Sequence, residues 1–250
     1  MYLLELNDLH YRYPGQQKLA LQGATLNLAA GVKVALLGRN GSGKSTLILH
    51  CNGILQPNQG QVRFAGQGIT YQRSSLLELR RQVGIIFQNP DDQLFSASVA
   101  QDISFGPLNL GLSQADTRRR VQSVAELCEI TDLLERPTHA LSGGEKARVA
   151  LAGVLAMEPA LLIGDEVTAN LDPWMRRQLF TIFQRLVAQG KTIILATHDI
   201  EFARYWADIV VVMEAGRVTA ADIPERVFAD QELMSRTGLG QPWYLPFAHA

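Results

Sequence analysis

The fold of this chain is decided by Gly38-Arg39-Asn40-Gly41-Ser42-Gly43-Lys44-Ser45-Thr46. The apolar run Lys33–Leu37 before it predicts a short buried strand, and the apolar periodicity of Ser45–Asn52 predicts a helix after it. A loop of the form GxxxxGK followed by Ser or Thr, between a strand and a helix, turns backbone N–H groups toward phosphate oxygens. We therefore expect the loop to bind a nucleotide, with Lys44 reaching the β- and γ-phosphates and the Ser45 hydroxyl ligating Mg²⁺.

The pattern of apolar residues around this loop predicts an α/β fold. The first 30 residues alternate apolar and polar side chains around the turn Tyr13-Pro14-Gly15, which is typical of antiparallel strands. Short apolar runs that alternate with helical segments imply a mainly parallel sheet covered on both faces. Further core strands are predicted at Gly84–Phe87, Ala160–Ile163, Thr192–Ala196 and Ile209–Met213, and amphipathic helices at Gln114–Leu134 and Trp174–Gln189.

A single domain is expected, because no internal repeat or long linker divides residues 1–250. Residues 1–89 and 158–250 are expected to form the nucleotide-binding core, which includes the antiparallel strands. The helical pattern from about residue 90 to residue 157 predicts a helical subdomain inserted between the second and third core strands.

The composition excludes several classes of protein. With 250 residues, 47% of them apolar and 19% charged, the chain has the profile of a globular protein. A net charge of −1 excludes recruitment of nucleic acid or an anionic membrane by overall charge. No apolar run approaches the roughly 18 residues that span a bilayer, and the start lacks the basic region of a signal peptide. Cys51 and Cys128 have no metal-type spacing, so we expect reduced thiols in the cytosol.

A pair of acids follows the predicted strand at Ala160–Ile163. Asp165 and Glu166 would lie where parallel strands end, and ligands bind at this edge in open α/β folds. There, Asp165 is suited to hold Mg²⁺ through water, and Glu166 to orient or deprotonate an attacking water. An acidic pair after a strand is also compatible with a solvated turn, but the phosphate loop upstream favours the catalytic interpretation.

Two further motifs have mundane alternatives when taken singly. Leu141-Ser142-Gly143-Gly144-Glu145 begins an amphipathic stretch, so it is either an ordinary helix N-cap or a second anion-binding helix terminus. His198 is either an ordinary packed or surface histidine or, because it follows the strand predicted at Thr192–Ala196, a residue at the same edge as Asp165 and Glu166.

Together these residues resemble the nucleotide-binding subunit of ABC transporters along essentially the whole chain. The matching motifs, in family order, are the phosphate loop, Gln88, Leu141–Glu145, Asp165-Glu166, Asn170-Leu171-Asp172 and His198. The resemblance implies a P-loop NTPase fold of ABC type that binds ATP and Mg²⁺ and couples ATP hydrolysis to transport. It also implies a head-to-tail dimer, in which each ATP touches the phosphate loop of one subunit and Ser142, Gly143, Gly144 and Glu145 of the other.

The resemblance also implies a role for each remaining residue. Glu166 is the expected catalytic base, His198 contacts the γ-phosphate, and Gln88 senses Mg²⁺ and the attacking water. Asp172 is expected to brace the dimer across its interface. Tyr13 is expected to stack on adenine, and Tyr11 is the other candidate for this role. The alternative is that Tyr13 is an ordinary aromatic residue of a strand.

The sequence departs from the family pattern at three positions. Val167 replaces the proline usual after the catalytic glutamate, and Asn170 stands where glycine or alanine is common. Gly164 leaves the strand without a side chain just before Asp165. None of the departures removes a catalytic group, so we expect the ATPase activity to be retained.

A narrower resemblance lies in Phe87-Gln88-Asn89-Pro90-Asp91-Asp92-Gln93-Leu94-Phe95. This run is similar to the corresponding segment of energy-coupling-factor importers, especially the cobalt and nickel type, where the segment around Gln88 receives a coupling helix. The implied partners are a second ATPase subunit, a transmembrane scaffold protein and a small integral substrate-capture protein, at the cytoplasmic face of the cell membrane. A well-capped helix is the structural alternative, because Pro90 suits a first turn and Asp91 suits the positive helix end.

Other functions stay open at this point. One alternative is the ATPase of another ABC importer, either for a vitamin such as biotin or of the conventional permease type. Another is a soluble ABC ATPase of DNA repair or translation, although the chain shows no sustained heptads and no basic excess. A nucleotide sensor would not need Glu166 and His198, and a P-loop kinase would leave Leu141–Glu145 without a role.

Overall fold

The computed structural model describes residues 2–168 and 171–239. Asn170 of the family motif lies outside the described residues. The strands are β1 (Leu4–Tyr11), β2 (Leu21–Leu28), β3 (Lys33–Leu37), β4 (Gln59–Phe64), β5 (Gln67–Gly68), β6 (Val83–Ile86), β7 (Leu161–Asp165), β8 (Thr192–Ala196), β9 (Ile209–Glu214) and β10 (Arg217–Asp222). The α-helices are α1 (Lys44–Cys51), α2 (Arg73–Gln82), α3 (Val99–Asn109), α4 (Gln114–Leu127), α5 (Gly143–Leu155), α6 (Pro173–Ala188), α7 (Ile200–Trp206), α8 (Pro224–Ala229) and α9 (Gln231–Thr237).

A mainly parallel sheet forms the centre of the molecule. Its strand order is β10-β9-β3-β8-β7-β6. Among the described strands of this sheet, β10 pairs antiparallel with β9, and all the other pairs are parallel. Strands covered on both faces are apolar throughout, and all five residues of β8 are buried. The register sets Asp165 beside Ala196 and Leu36 beside Ala196. The carboxyl ends of β3, β7 and β8 therefore meet at one edge of the sheet, as expected for this fold class.

The N-terminal strands form a second, antiparallel sheet in the order β2-β1-β4-β5. Leu4 pairs with Leu28 on β2 and with Phe64 on β4. Side chains of this sheet share one buried cluster with the central sheet and with α1, as Leu36 and Leu47 show. The predicted antiparallel part is confirmed, and its packing fixes the position of α1 behind the phosphate loop.

The helices α3, α4 and α5 lie between β6 and β7 in sequence and share a buried cluster that includes Ile103, Val121 and Leu151. The inserted helical part is confirmed. The amphipathic run that predicts a helix to Leu134 ends sooner, because Cys128 is the C-cap of α4 and Glu129 takes a positive φ of 55°. Within the described residues, no helix combines the length and apolarity that crossing a membrane requires.

Candidate functional site

The phosphate loop joins β3 to α1 with a backbone that requires glycine at two positions. Gly38 has a φ of 152° and Gly43 a φ of 106°. A Cβ atom on Gly38 would lie 2.5 Å from the Met213 carbonyl oxygen, so the backbone leaves no room for a side chain. The buried Lys44 ammonium donates to the carbonyl oxygens of Gly38 at 2.8 Å and Arg39 at 3.3 Å. The backbone of the loop therefore curls around the Lys44 ammonium.

The loop forms one wall of a cleft of about 460 Å³. Gln88, Asp165 and Glu166 line the cleft together with Lys44 and Ser45. Burial raises the pKa of Asp165, while a hydrogen bond from Ser45 and the charge of Lys44 act in the opposite direction and the Glu166 charge adds to the rise. Hydroxyl, amide and carboxylate oxygens thus converge beside the loop.

Not every residue of the loop lines this cleft. Asn40, Gly41, Gly43, Lys44, Ser45 and Thr46 do so. Arg39 and Ser42 line a neighbouring cavity of about 340 Å³ together with Arg236. Asn40 and Gly41 line both cavities, and Gly38 is not among the described residues that line either one.

Glu166 and His198 lie together at the edge of the sheet. The Nδ1 atom of His198 is 3.6 Å from the Oε2 atom of Glu166. The Glu166 N–H donates to the Ala196 carbonyl oxygen at 3.0 Å, which ties the residue to the end of β8. Glu166 also has a φ of 49°, in the left-handed region that residues other than glycine rarely adopt. The neighbouring strands thus bring the His198 imidazole beside the Glu166 carboxylate, although His198 is not itself among the described residues that line the cleft.

The two tyrosines considered for adenine differ in position. Tyr13 lines the cleft, and its hydroxyl is 3.2 Å from the Thr46 Oγ1 atom. Tyr11 is only 8% exposed and belongs to the core, where its ring packs edge-on against Tyr13. Tyr13 is therefore the tyrosine that a nucleotide in the cleft can reach.

The Leu141–Glu145 motif lies elsewhere. Ser142 is the N-cap of α5, and its N–H donates to the Glu145 carboxylate at 2.7 Å in a capping box. These hydrogen bonds and the nearby Arg136 lower the pKa of Glu145. Ser142 and Gly143 are exposed, and Ser142–Glu145 are absent from the described lining of the cleft. The structure therefore does not bring this motif and the phosphate loop together within one chain.

Asp172 also lies away from the lining of the cleft. It is the N-cap of α6, and its carboxylate accepts a hydrogen bond from the Met175 N–H at 2.8 Å. Met175 in turn occupies the space beside Gly144, where a Cβ atom would overlap its Cε atom. The start of α5 and the start of α6 are therefore in direct contact.

Arg176 is a residue that the sequence patterns did not single out. Its Nε donates to the carbonyl oxygens of Thr168 at 3.1 Å and Leu171 at 3.0 Å. These two carbonyls belong to the segment between Glu166 and α6. No local motif marks Arg176, because the contact arises only when α6 lies against that segment.

Replacing Arg176 by Ala is expected to lower kcat for ATP hydrolysis about tenfold and to leave nucleotide affinity nearly unchanged. A hydrogen bond from a charged group is worth about 1.5–3 kcal/mol, and about 1.4 kcal/mol is tenfold in rate. Steady-state phosphate release and nucleotide titration measure the two effects. Arg177→Ala removes the exposed neighbouring charge and serves as the control. Equal losses in both variants would show that Arg176 has no special role.

Comparison with known proteins places this geometry in a family. The family model described as ABC transporter matches residues 21–169. The energy-coupling factor transporter ATP-binding protein EcfA of Methanocaldococcus jannaschii is 43% identical over 97% of this chain and 86% of its own length. The cobalt import ATP-binding protein CbiO of Rhodobacter capsulatus is 45% identical over 98% of this chain and 88% of its own. The structure of cbiO1 from Clostridium perfringens, part of the ABC transporter complex cbiONQ, gives a TM-score of 0.82 at 44% identity and covers 95% of each chain. The chain therefore belongs to the ABC transporter family and, within it, to the ATP-binding proteins of energy-coupling factor transporters.

Proposed function

We propose that this chain hydrolyses ATP as the energy-coupling subunit of a membrane importer of the energy-coupling-factor type, with cobalt ions as the cargo. The observation that carries the proposal is the cleft in which the phosphate loop, Gln88, Asp165 and Glu166 meet. The cobalt assignment is supported by the relative named as a cobalt import protein.

The cleft fits ATP with Mg²⁺. Tyr13 offers a ring for the adenine, and the loop N–H groups and Lys44 offer positive charge for the phosphates. Ser45, Gln88 and Asp165 are the residues that would hold Mg²⁺, since this hard cation prefers oxygen ligands. When bound, Mg²⁺ neutralises charge on the β- and γ-phosphates.

Glu166 is the proposed general base, which its position in the lining of the cleft supports. In the proposed step, a water proton passes to the Glu166 carboxylate while the water oxygen bonds to the γ-phosphorus. The bond between that phosphorus and the oxygen bridging to the β-phosphate breaks, which leaves ADP and phosphate. His198 is proposed to orient this carboxylate and to contact the γ-phosphate, and its distance of 3.6 Å from Glu166 supports the first of these roles.

A second ATPase subunit would complete the site, in a homodimer or with a paralogue. The exposed N-terminus of α5 offers the N–H groups of Gly143 and Gly144 and partial positive charge for phosphate oxygens, whereas the Ser142 N–H is already donated to Glu145. A head-to-tail arrangement sets this helix end against the ATP held by the other subunit and brings Asp172 to the interface.

A membrane partner is supported by exposed apolar side chains on the helical part. Phe95, Phe105 and Leu108, here called the Phe95 patch, are 65%, 50% and 48% exposed. The rings of Phe95 and Phe105 pack edge-on with their centroids 4.8 Å apart. The buried Asp102 accepts hydrogen bonds from the N–H groups of Phe95 at 2.9 Å and Ser96 at 2.8 Å, which fixes the patch on α3. We propose that an apolar coupling helix of a transmembrane scaffold binds here, at the cytoplasmic face of the membrane.

The segment before the patch connects it to the cleft. Gln88 lines the cleft, and the residues that follow are anchored on α5: Lys146 pairs with Asp91 at 2.6 Å, and the Gln93 amide donates to the Ala150 carbonyl oxygen at 3.0 Å. A displacement at the nucleotide can therefore reach the Phe95 patch through a short, well-anchored path.

Phe105→Asp is expected to reduce recovery of membrane proteins with the tagged chain about tenfold, because a charge at the centre of an apolar interface is poorly compensated. The measurement is affinity purification from native membranes, with the partners identified by mass. Tyr205→Asp is the matched control, since Tyr205 is an aromatic residue of α7, 82% exposed and outside the patch. Equal recovery with both variants would refute the proposed docking surface.

The identity of the recovered proteins tests the function itself. A transmembrane scaffold with a small integral capture protein supports the proposed importer type. Recovery of two ordinary permease subunits would support an ABC transporter ATPase but contradict the energy-coupling-factor type. If the wild-type chain recovers no membrane protein, a soluble ATPase would be favoured.

A further inference from the structure

Beside the cleft, four residues form a closed ring of contacts, three of them made between side chains and one to the backbone carbonyl of Thr46. The Tyr13 hydroxyl is 3.2 Å from Thr46 Oγ1, and the Thr46 carbonyl oxygen is 2.7 Å from His50 Nδ1. The His50 ring packs edge-on against the Tyr11 ring with the centroids 4.8 Å apart. The Tyr11 ring packs edge-on against the Tyr13 ring with the centroids 5.0 Å apart, which closes the ring.

The hydrogen bond defines the state of His50. The residue is 0% exposed on α1, and a carbonyl oxygen can only accept, so Nδ1 must carry the proton. The Nε2 atom is buried and has no hydrogen-bond partner among the described residues. Burial also lowers the pKa of His50. The side chain is therefore a neutral imidazole with one defined tautomer and one defined ring orientation.

Two residues of this ring of contacts line the cleft, and the other two do not. Tyr13 and the buried Thr46 line the cleft, whereas the buried Tyr11 and His50 are not among the described residues that line it. Thr46 lies on α1 directly after Lys44 and Ser45, so the Tyr13–Thr46 contact spans from the aromatic side chain to the phosphate-binding helix. Edge-on aromatic contacts have a preferred geometry, so each ring limits the tilt of the next.

We propose that Tyr11 and His50 are positioning residues for the nucleoside half of the ligand, which fix the tilt of the Tyr13 ring and its distance from the phosphate loop. This inference rests on the proposed stacking of Tyr13 on adenine. Neither residue touches the nucleotide. Their effect is to hold Tyr13 in the orientation that a base can stack on, before the nucleotide binds.

The test compares a ligand that has a base with one that has none. Titration calorimetry of the full chain with ADP and with pyrophosphate, both with Mg²⁺, gives two dissociation constants. His50→Leu and Tyr11→Leu are each expected to raise the constant for ADP about tenfold, since base stacking on an aromatic side chain is a substantial part of binding. The constant for pyrophosphate is expected to change by less than about twofold, because the phosphate loop is unaltered.

Conservative variants keep the test valid if a leucine variant does not fold. His50→Phe keeps a ring against Tyr11 and loses the donor to Thr46, whereas Tyr11→Phe keeps its ring contacts. Tyr11→Phe is expected to keep the preference for ADP within about threefold of wild type, because its edge-on ring contacts are retained, whereas His50→Phe is expected to keep only part of the preference, because the hydrogen bond that orients its ring is lost.

Cys51→Ala is the matched control for a perturbed α1. Cys51 follows His50 on the same helix, is 2% exposed, and its Sγ donates to the Leu47 carbonyl oxygen at 3.3 Å. It takes no part in the ring of contacts. Truncation is expected to lower the melting temperature and to leave the ratio of the two dissociation constants unchanged.

The outcomes separate this inference from the proposed function. A wild-type chain that binds ADP no more tightly than pyrophosphate would remove the stacking role of Tyr13 and the inference with it. A wild-type preference for ADP that survives in both leucine variants would leave Tyr13 in place and overturn the inference alone. Equal weakening of both ligands would also overturn it, because it would show general damage to the fold.

Discussion

Glu166→Gln is expected to lower steady ATP hydrolysis by about 10²–10⁴-fold, the usual contribution of a general base. The amide has the shape of the carboxylate but cannot accept the proton of the attacking water. The backbone contact of residue 166 with Ala196 does not involve the side chain, so the cleft should keep its form. ATP binding is therefore expected to persist, and a nucleotide-locked dimer to accumulate. Phosphate release and size-exclusion chromatography with ATP measure both effects.

The matched control for this change is Glu201→Gln. Glu201 is an exposed acid near the start of α7 and is not among the residues that line the cleft, so its replacement alters the net charge equally. Near-normal hydrolysis by Glu166→Gln would assign the base to another group. Loss of ATP binding together with turnover would instead indicate that Glu166 supports the cleft structurally.

A mixture of two inactive variants is expected to regain hydrolysis, because each proposed site takes its parts from two chains. Lys44→Ala removes the ammonium of the phosphate loop. Ser142→Asp places a negative charge toward the phosphates of the partner site while keeping a good helix N-cap. In a head-to-tail mixed dimer, one site carries both lesions and the other carries none. Random mixing is then expected to restore at most about a quarter of the wild-type sites.

The same mixture separates two geometries. Were the Leu141–Glu145 motif to act on the ATP of its own chain, every site would carry one lesion and mixing would restore nothing. Each variant measured alone gives the baseline, and phosphate release as a function of the mixing ratio should peak near equal amounts. A flat response would exclude the head-to-tail arrangement.

The central strands were predictable because their covering on both faces demands uninterrupted apolar runs. Thr192–Ala196 is a strand within its predicted bounds. The hairpin of β4 and β5 was not predicted, since only Val62 and Phe64 of β4 are buried and the turn places Ala65 at a φ of 47°. The helix α2 was also missed, because Leu79 is its only buried residue and seven of the ten residues in RSSLLELRRQ are polar. Lightly buried elements leave a weak pattern in the sequence.

For the candidate site, the sequence singled out residues whose proposed role depends on their immediate neighbours. The phosphate loop is such a case, because its glycines, its lysine and its flanking elements are contiguous. Arg176 and His50 were not identified, since their partners lie on other segments or on the interior side of the same helix. The family resemblance named Ser142 and Asp172 but not the Gly144–Met175 contact that joins their helices. Such contacts follow from how whole elements pack.

The backbone of Glu166 shows what this arrangement implies for thermal tolerance. A residue with a side chain held at a φ of 49° carries a conformational penalty of about 1–3 kcal/mol. Glycine at this position would relieve that penalty and remove the carboxylate at the same time. A population screened for heat resistance alone is therefore expected to drift away from glutamate here, and the proposed role of Glu166 as the base predicts that selection for turnover would retain it. The strained backbone of Glu166 is thus the kind of feature that selection for stability would remove and that selection for the proposed activity would preserve.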